Sequence, residues 1–167
     1  RQIAAPSFHN AQIGTIDFPG AFLNATLDRE QYMFLGRDSA RALCEVKSEY
    51  RSFQRKDGAI MVRLKRALYG LPESGRRWYE RLSGFITGSG YSRSAVDPCV
   101  FHKSSGQHKI MMGLHVDDLF YVSTSDELVT EFIDLLEGEF GAVKQSARDS
   151  KVLSFLGLRI VKDANTG

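Results

Sequence analysis

Three carboxylates set the chemical possibilities of this chain. Asp117 and Asp118 are adjacent, inside the stretch KIMMGLHVDDLFYVST at residues 109–124. Asp17 closes AQIGTID, about a hundred residues earlier. Acidic groups drawn together repel one another, and at least one must take up a proton unless a cation neutralises the cluster. Hard oxygen donors suit Mg²⁺, which keeps some of its waters and binds phosphates as well. Two such ions can stabilise the attacking and leaving oxygens of a phosphoryl transfer. Each carboxylate also has a plainer role open to it. Asp-Asp is compatible with a surface turn, and Asp17, two residues before Pro19, could be a helix N-cap.

The elements that would have to position these groups can be read from the pattern. Two short β-prone runs flank Asp117-Asp118, which predicts a tight hairpin with that pair as its two-residue centre. AQIGTID predicts a strand, broken by Pro19 and Gly20, with a helical turn to follow. Residues 28–35 read as a turn and then a short strand; strands are also expected at 59–64 and from Asp97 onward, and a single last strand at 152–161. RALCEVKSEYRSF could be a helix, and a polar turn is expected at Asp57-Gly58. Trp78, Leu82, Phe85 and Ile86 recur at helical spacing and predict a helix over 73–87, stopped by Gly88 and Gly90. Thr124 with Glu127 three residues on matches a capping box, with Thr124 as N-cap, for a helix running to Phe140. The coarse order is β-α-β, an irregular stretch, then β-α-β-β-α-β. It predicts a single α+β domain over 1–167, an antiparallel sheet with helices packed on one face.

Lys65, Arg66, Arg76, Arg77 and Arg81 make residues 65–81 the most basic part of the chain. A solvated helix face explains such a run. So does a phosphate-contacting surface, with Tyr69 and Trp78 as stacking or packing aromatics.

Composition limits the alternatives. With 167 residues and a formal charge of +2 from 22 Lys and Arg against 20 Asp and Glu, the chain is large enough for a real core and is not polybasic. Cys44 and Cys99 have no CxxC spacing, and the four histidines form no HExxH, so neither a zinc site nor a disulfide framework is indicated. Reduced thiols in an intracellular compartment are the simplest reading. No apolar run approaches the ~20 residues of a membrane span, and RQIAAPSFHN lacks the apolar core of a signal peptide. The chain lacks an initiator Met, which suggests a processed piece or a fragment.

Taken in order, these segments resemble one family. HVDD between apolar flanks resembles the YxDD box of reverse transcriptases. Asp17 followed by PGAFLN resembles their first carboxylate motif. LKRALYGLPESGRRWYERL is similar to a signature of copia-type retrotransposon polymerases, and SxxDPCVFHK and FLGLRI resemble further segments of that family, over residues 15–160. The resemblance implies a polymerase palm with an RRM- or ferredoxin-like core. Asp17 and Asp117 would hold two Mg²⁺ ions, with Asp118 beside them and the Phe18 carbonyl as a further contact. Phe22 would be the aromatic gate against a ribose 2′-hydroxyl, and Tyr69 and Gly70 would line the nucleotide pocket and template path. The partners implied are an RNA or DNA template–primer and a dNTP, in a cytoplasmic particle or the nucleus, with an organelle left open.

Some positions depart from the pattern. His115 stands where the box has Tyr, and an imidazole is smaller and can hydrogen-bond. Glu73 stands where Gln is usual, a negative charge near incoming phosphates unless Arg76 or Arg77 pairs with it. The Pro-rich segment before LKRALYGL is missing. The fingers residues upstream and the thumb and RNase H regions downstream lie outside this stretch, so activity is expected of a longer parent rather than of this piece alone. The alternative is an inactive palm reused as a structural or interaction subunit, its protein partners covering apolar surface that fingers and thumb would otherwise bury.

Overall fold

A computed structural model describes residues 11–146 and 152–161. In chain order the elements are β1 (Gln12–Asp17), a 3₁₀ turn (Ala21–Asn24), β2 (Thr26–Leu35), α1 (Arg37–Val46), a second 3₁₀ segment (Ser48–Phe53), β3 (Ile60–Arg66), α2 (Ser74–Gly88), β4 (Ser92–Arg93), β5 (Val100–Ser105), β6 (His108–His115), β7 (Asp118–Ser123), α3 (Asp126–Phe140), β8 (Lys144–Gln145), β9 (Val152–Phe155) and β10 (Leu158–Val161). The chain divides into two compact units, one holding the described residues up to Ala21 and from Trp78 onward, the other Phe22–Arg77.

The first unit is built on a six-stranded sheet ordered β4-β5-β6-β7-β1-β8, in which every pairing is antiparallel. Within it, β1, β6, β7 and β8 with α2 and α3 follow the β-α-β-β-α-β path of the ferredoxin-like fold. The expected α+β architecture is therefore present. Alternation decides the faces. Ile16, Ile110, Met112, Leu114, Leu119 and Tyr121 are buried and face the helices. α2 contributes Trp78, Leu82 and Ile86, and α3 contributes Phe132 and Leu136, all buried. The Phe140 ring lies edge-on to Phe18, Trp78 and Phe85. Each large apolar side chain so buried contributes about 1.5–3 kcal/mol.

One glycine locks the sheet register. A Cβ on Gly14 would stand 2.3 Å from the Tyr121 ring, and Gly14 and Tyr121 are cross-strand partners. The buried tyrosine lies across a position that only glycine can occupy, so β1 is fixed against β7.

The second unit is smaller. β2 and β3 form a two-stranded antiparallel ribbon whose inner face packs Ile60, Leu35 and Val62 against Ala40 and Cys44 of α1 and Tyr50. Its loop after β3 turns at Leu68–Leu71, where the Leu71 N–H reaches the Leu68 carbonyl at 3.3 Å and Gly70 sits at φ +92°, a conformation open mainly to glycine. The buried Ser74 hydroxyl donates to the same Leu68 carbonyl at 2.5 Å.

Four local expectations are corrected. The hairpin between β6 and β7 turns on Val116-Asp117, one residue earlier than Asp117-Asp118, because His115 pairs with Asp118 across the strands. The N-cap of α3 is Ser125, whose Oγ accepts the Leu128 N–H at 3.2 Å. The Thr124 hydroxyl is engaged by Lys109, accepting its N–H at 3.0 Å. The last strand is a hairpin, β9 to β10, turning through Leu156 and Gly157, both at positive φ. RALCEVKSEYRSF does not form one helix: α1 ends at Val46 and a 3₁₀ segment follows.

Candidate active site

Antiparallel pairing brings four polar residues into a row across neighbouring strands. His115 on β6 opposes Asp118 on β7, Asp118 opposes Asp17 on β1, and Asp17 opposes Lys144 on β8. His115, Asp118 and Asp17 each lie one position from a residue buried on the helix side (Leu114, Leu119, Ile16), and Lys144 is the direct partner of Asp17, so all four belong to the opposite face of the sheet. Direct cross-strand partners have Cβ atoms about 4.5–5.5 Å apart. Asp117 sits in the turn beside the row, and its carbonyl accepts the Phe18 N–H at 3.2 Å. The link ties the end of β1 to the hairpin tip. All three predicted carboxylates are thus gathered at one end of the sheet, half-buried.

The electrostatics follow from that crowding. Burial first, and then the charges of Asp117 and Asp17, hold the Asp118 carboxyl above its ordinary range, while His115 pulls it down. Lys144 Nζ lies 3.3 Å from Asp17 Oδ2 and partly neutralises the cluster. The lysine is placed by its edge strand, where the Thr15 N–H donates to Ser146 Oγ at 2.9 Å and the Ser146 N–H to the Thr15 carbonyl at 3.0 Å. Among the described residues, no group of three or more His, Cys, Asp or Glu side chains stands in a metal-holding arrangement. The donor chemistry nonetheless fits a hard divalent ion, since the groups are carboxylate oxygens whose mutual repulsion a cation would relieve.

A cleft of about 500 Å³ opens beside the row, lined among others by Asp17, Asp118, Lys144, Ser146, Phe155 and Gly157. The β9–β10 hairpin forms its far wall, anchored by the Phe155 ring against Phe120 at 5.6 Å between centroids.

The hairpin tip is held from the helix side. Val116 has φ +54°, a left-handed conformation that costs a β-branched residue about 1–3 kcal/mol. Trp78, fully buried, donates its indole N–H to the Val116 carbonyl at 2.7 Å. Trp78 is therefore a core side chain that positions the carboxylates. Its helical spacing reveals the burial, but its N–H partner is visible only in three dimensions. Lys144 and Gly14 were likewise missed, because nothing local to either sequence position signals its cross-strand neighbour.

The other expected site residues divide between the units. Phe18 is buried, and its carbonyl already accepts the Ala21 N–H at 3.1 Å. In the second unit the Phe22 ring is buried and lies 4.3 Å from that of Tyr69 between centroids, tilted by 42°. Tyr69 is exposed and Gly70 shapes the turn that presents it. Glu73 is not paired with Arg76 or Arg77. It accepts from Gln31 and faces Arg29 at 3.8 Å, while both arginines reach Asp28, Arg76 at 3.6 Å. Asp28, Arg29 and Gln31 all lie on β2, so these pairs link the start of α2 to the ribbon strand.

Comparison with known proteins identifies the relatives of the chain. A family model described as reverse transcriptase (RNA-dependent DNA polymerase) matches residues 2–167. The chain is 30% identical over 129 residues to the retrovirus-related Pol polyprotein from transposon RE2 of Arabidopsis thaliana, covering 77% of this chain and 8% of that one. It is 27% identical over 152 residues to the RE1 polyprotein of the same plant (87% and 9%). It is 25% identical over 154 residues to that of transposon TNT 1-94 from Nicotiana tabacum (91% and 10%). The chain thus spans about a tenth of the length of these relatives. Among solved structures, an apo telomerase from Candida tropicalis, truncated from its C-terminal domain, aligns with a TM-score of 0.49 at 15% identity, covering 90% of this chain and 34% of that one. On the family match and these polyproteins, the chain belongs to the reverse transcriptase family, as the reverse transcriptase domain of a copia-like retrotransposon.

Proposed function

We propose that this chain supplies the catalytic palm of an RNA-directed DNA polymerase, in which a primer 3′-hydroxyl attacks the α-phosphate of a dNTP and pyrophosphate leaves. The observation that carries the reading is the cross-strand register that sets Asp17 against Asp118, with Asp117 bonded through its carbonyl to the residue after Asp17. Asp17 and Asp117 would hold two Mg²⁺ ions with Asp118 beside them. When bound, Mg²⁺ supplies charge neutralisation at the phosphates and polarises the attacking and departing oxygens. The chain's own residues contribute position. Gly14 and Tyr121 hold the register, Trp78 holds the tip, and Lys144 covers Asp17 until a cation displaces it. Such positioning and electrostatic preorganisation carry most of the rate in phosphoryl transfer. Phe22, braced by Tyr69, is proposed as the wall that rejects a ribose 2′-hydroxyl.

The test is primer extension by the parent protein on an RNA template with dNTPs and Mg²⁺. Extension should occur, and Asp117→Asn should abolish it. A parent protein that carries its flanking regions and extends nothing sinks the proposal.

One observation favours a second reading. Lys144 already occupies the Asp17 carboxylate, as a permanent counter-ion would in a palm reused as an interaction subunit in a larger assembly. Under that reading Mg²⁺ up to millimolar concentrations leaves the melting temperature unchanged. Under the polymerase reading it raises it, and Asp17→Asn removes the rise.

A further inference from the structure

Phe140, the last residue of α3, extends at i+4 spacing the apolar stripe of Phe132 and Leu136. Its ring lies 5.9 Å from that of Phe18 between centroids, 5.3 Å from Trp78 and 5.2 Å from Phe85, at interplanar angles of 88°, 76° and 78°. Phe18 and Trp78 are themselves 5.3 Å apart at 67°. Phe18, Trp78 and Phe140 thus close a triangle in which every contact is the edge-to-face kind that ring quadrupoles favour. Two of its corners hold the hairpin tip. Trp78 donates its indole N–H to the Val116 carbonyl at 2.7 Å, and the Phe18 N–H donates to the Asp117 carbonyl at 3.2 Å. Phe140 braces both holders.

The same helix end also reaches the other side of β1. Gly141 leaves α3 at φ +81°, a conformation that favours glycine, and its N–H closes the last turn on the Glu137 carbonyl at 3.0 Å. The chain then returns along β8, where Lys144 is the partner of Asp17 and its Nζ lies 3.3 Å from Asp17 Oδ2. Asp17 and Phe18 are successive residues, the first on the open face and the second buried among the helix rings. Residues 140–144 therefore grip the end of β1 from both faces. Arg81 of α2 caps the grip, with its guanidinium carbon 5.0 Å from the Phe140 ring centre and an ion pair to Glu139.

We infer that Phe140 is a positioning residue for the carboxylates, setting Asp17 and Asp117 against each other through Phe18 and Trp78. The kinetic consequence rests on the polymerase reading, whereas the placement does not. Filling volume is the plainer role for a half-buried phenylalanine, and it predicts different behaviour. A filler tolerates Leu, a volume-conserving swap, and its loss loosens the surrounding core evenly. A brace needs the flat ring, whose edge contacts Leu cannot reproduce, and its loss is felt first at the bond between Phe18 and Asp117.

The test compares Phe140→Leu, Phe140→Ala and Phe140→Tyr with the unmodified chain by amide hydrogen exchange in EDTA. In the Leu and Ala variants the Phe18 amide should exchange about tenfold faster. The Thr124 amide, bonded to the Lys109 carbonyl at 2.9 Å at the open end of the same hairpin, should stay within about twofold. Trp78 is the chain's single tryptophan, and its fluorescence should become more accessible to acrylamide quenching in the same two variants. Phe140→Tyr keeps the ring and should restore both readouts. In the parent protein Phe140→Leu should lower the kcat of primer extension about tenfold, with the KM for dNTP unchanged. An unchanged Phe18 amide in Phe140→Leu, or equal acceleration at Phe18 and Thr124, overturns the inference even where Phe140→Ala fails to fold, and so does full kcat in an active parent. Exchange and quenching need no activity. A parent that extends nothing therefore sinks the polymerase reading and leaves the placement to be decided at Phe18.

Discussion

The two units solve different physical problems with the same kind of strand. The sheet unit uses alternation to bury one face completely and to line up His115, Asp118, Asp17 and Lys144 on the other. Its core is deep, with Trp78, Tyr121, Phe101 and Phe132 fully buried, and its register is locked by Gly14. The ribbon unit has two strands and a core centred on Ala40, Cys44 and Ile60. It exposes Tyr32 and Phe34 to solvent and carries twelve Lys and Arg against seven Asp and Glu. A reactive cluster needs positions fixed to a fraction of an ångström, which a packed multistranded sheet can supply. A two-stranded ribbon is marginal by itself, and this one relies on the side chains of α1 packed beneath it.

Substitutions can break or sharpen this contrast. The largest effect is expected at the carboxylates: Asp117→Asn should lower primer extension by the parent protein at least 100-fold, with the melting temperature unchanged or raised. Trp78→Ala should cost about 3–5 kcal/mol in urea unfolding. Trp78→Phe keeps most of the packing and leaves the Val116 carbonyl without its donor, for about 1–3 kcal/mol. If both variants keep full extension activity, the hairpin does not need its indole brace. Gly14→Ala must displace the Tyr121 ring, and about 1–3 kcal/mol is expected for such overpacking, with loss of extension through the altered β1–β7 register. In the ribbon unit Ile60→Val should cost only about 0.5–1.5 kcal/mol. Hydrogen exchange at β2 and β3 amides should be faster than at β7, and equal protection would erase the distinction between the units.

The smallest effect is a pH dependence. The folded-state pKa of Asp118 is raised above 3.8, so ionised Asp118 opposes folding. That cost is fully present above the raised pKa. It is relieved as pH falls through it, and absent below the unfolded value. Asp118→Asn should therefore be more stable than the parent sequence near neutral pH without metal, the advantage shrinking to nothing in acid. Added Mg²⁺ should erase the advantage at neutral pH. A constant difference at all pH values would show that charge crowding is not its source.

Much of this was legible in the sequence, for identifiable reasons. α2 and α3 announce themselves through long amphipathic periods, and β1, β6 and β7 through alternation. The three carboxylates could be assigned to one site because motif order, not any single motif, carried the information. The failures are equally physical. The hairpin turn falls one residue earlier than Asp-Asp suggests, with Val116 at positive φ and its carbonyl held by the Trp78 indole N–H, a partner that local sequence does not reveal. Thr124 and Ser125 are both good N-caps, and backbone bonding to Lys109 decided between them. Arg76 and Arg77 were open to Glu73 as partners, but it pairs with Gln31 and Arg29 of β2, tertiary neighbours that the sequence does not encode at i+3 or i+4. The separate charge balance of Phe22–Arg77 was hidden by averaging over the chain.

The cross-strand row has a consequence for how the site is felt from outside. Lys144 closes the row at one end, its Nζ 3.3 Å from Asp17 Oδ2, so one of the negative charges is matched by a positive neighbour. The field of such a pair dies away faster than that of a bare carboxylate and is further screened over the ~8 Å set by physiological salt. A polyanion approaching from solution would meet less repulsion than three bare carboxylates would exert. A small cation that reaches the middle of the row would meet Asp17 and Asp118 at close range.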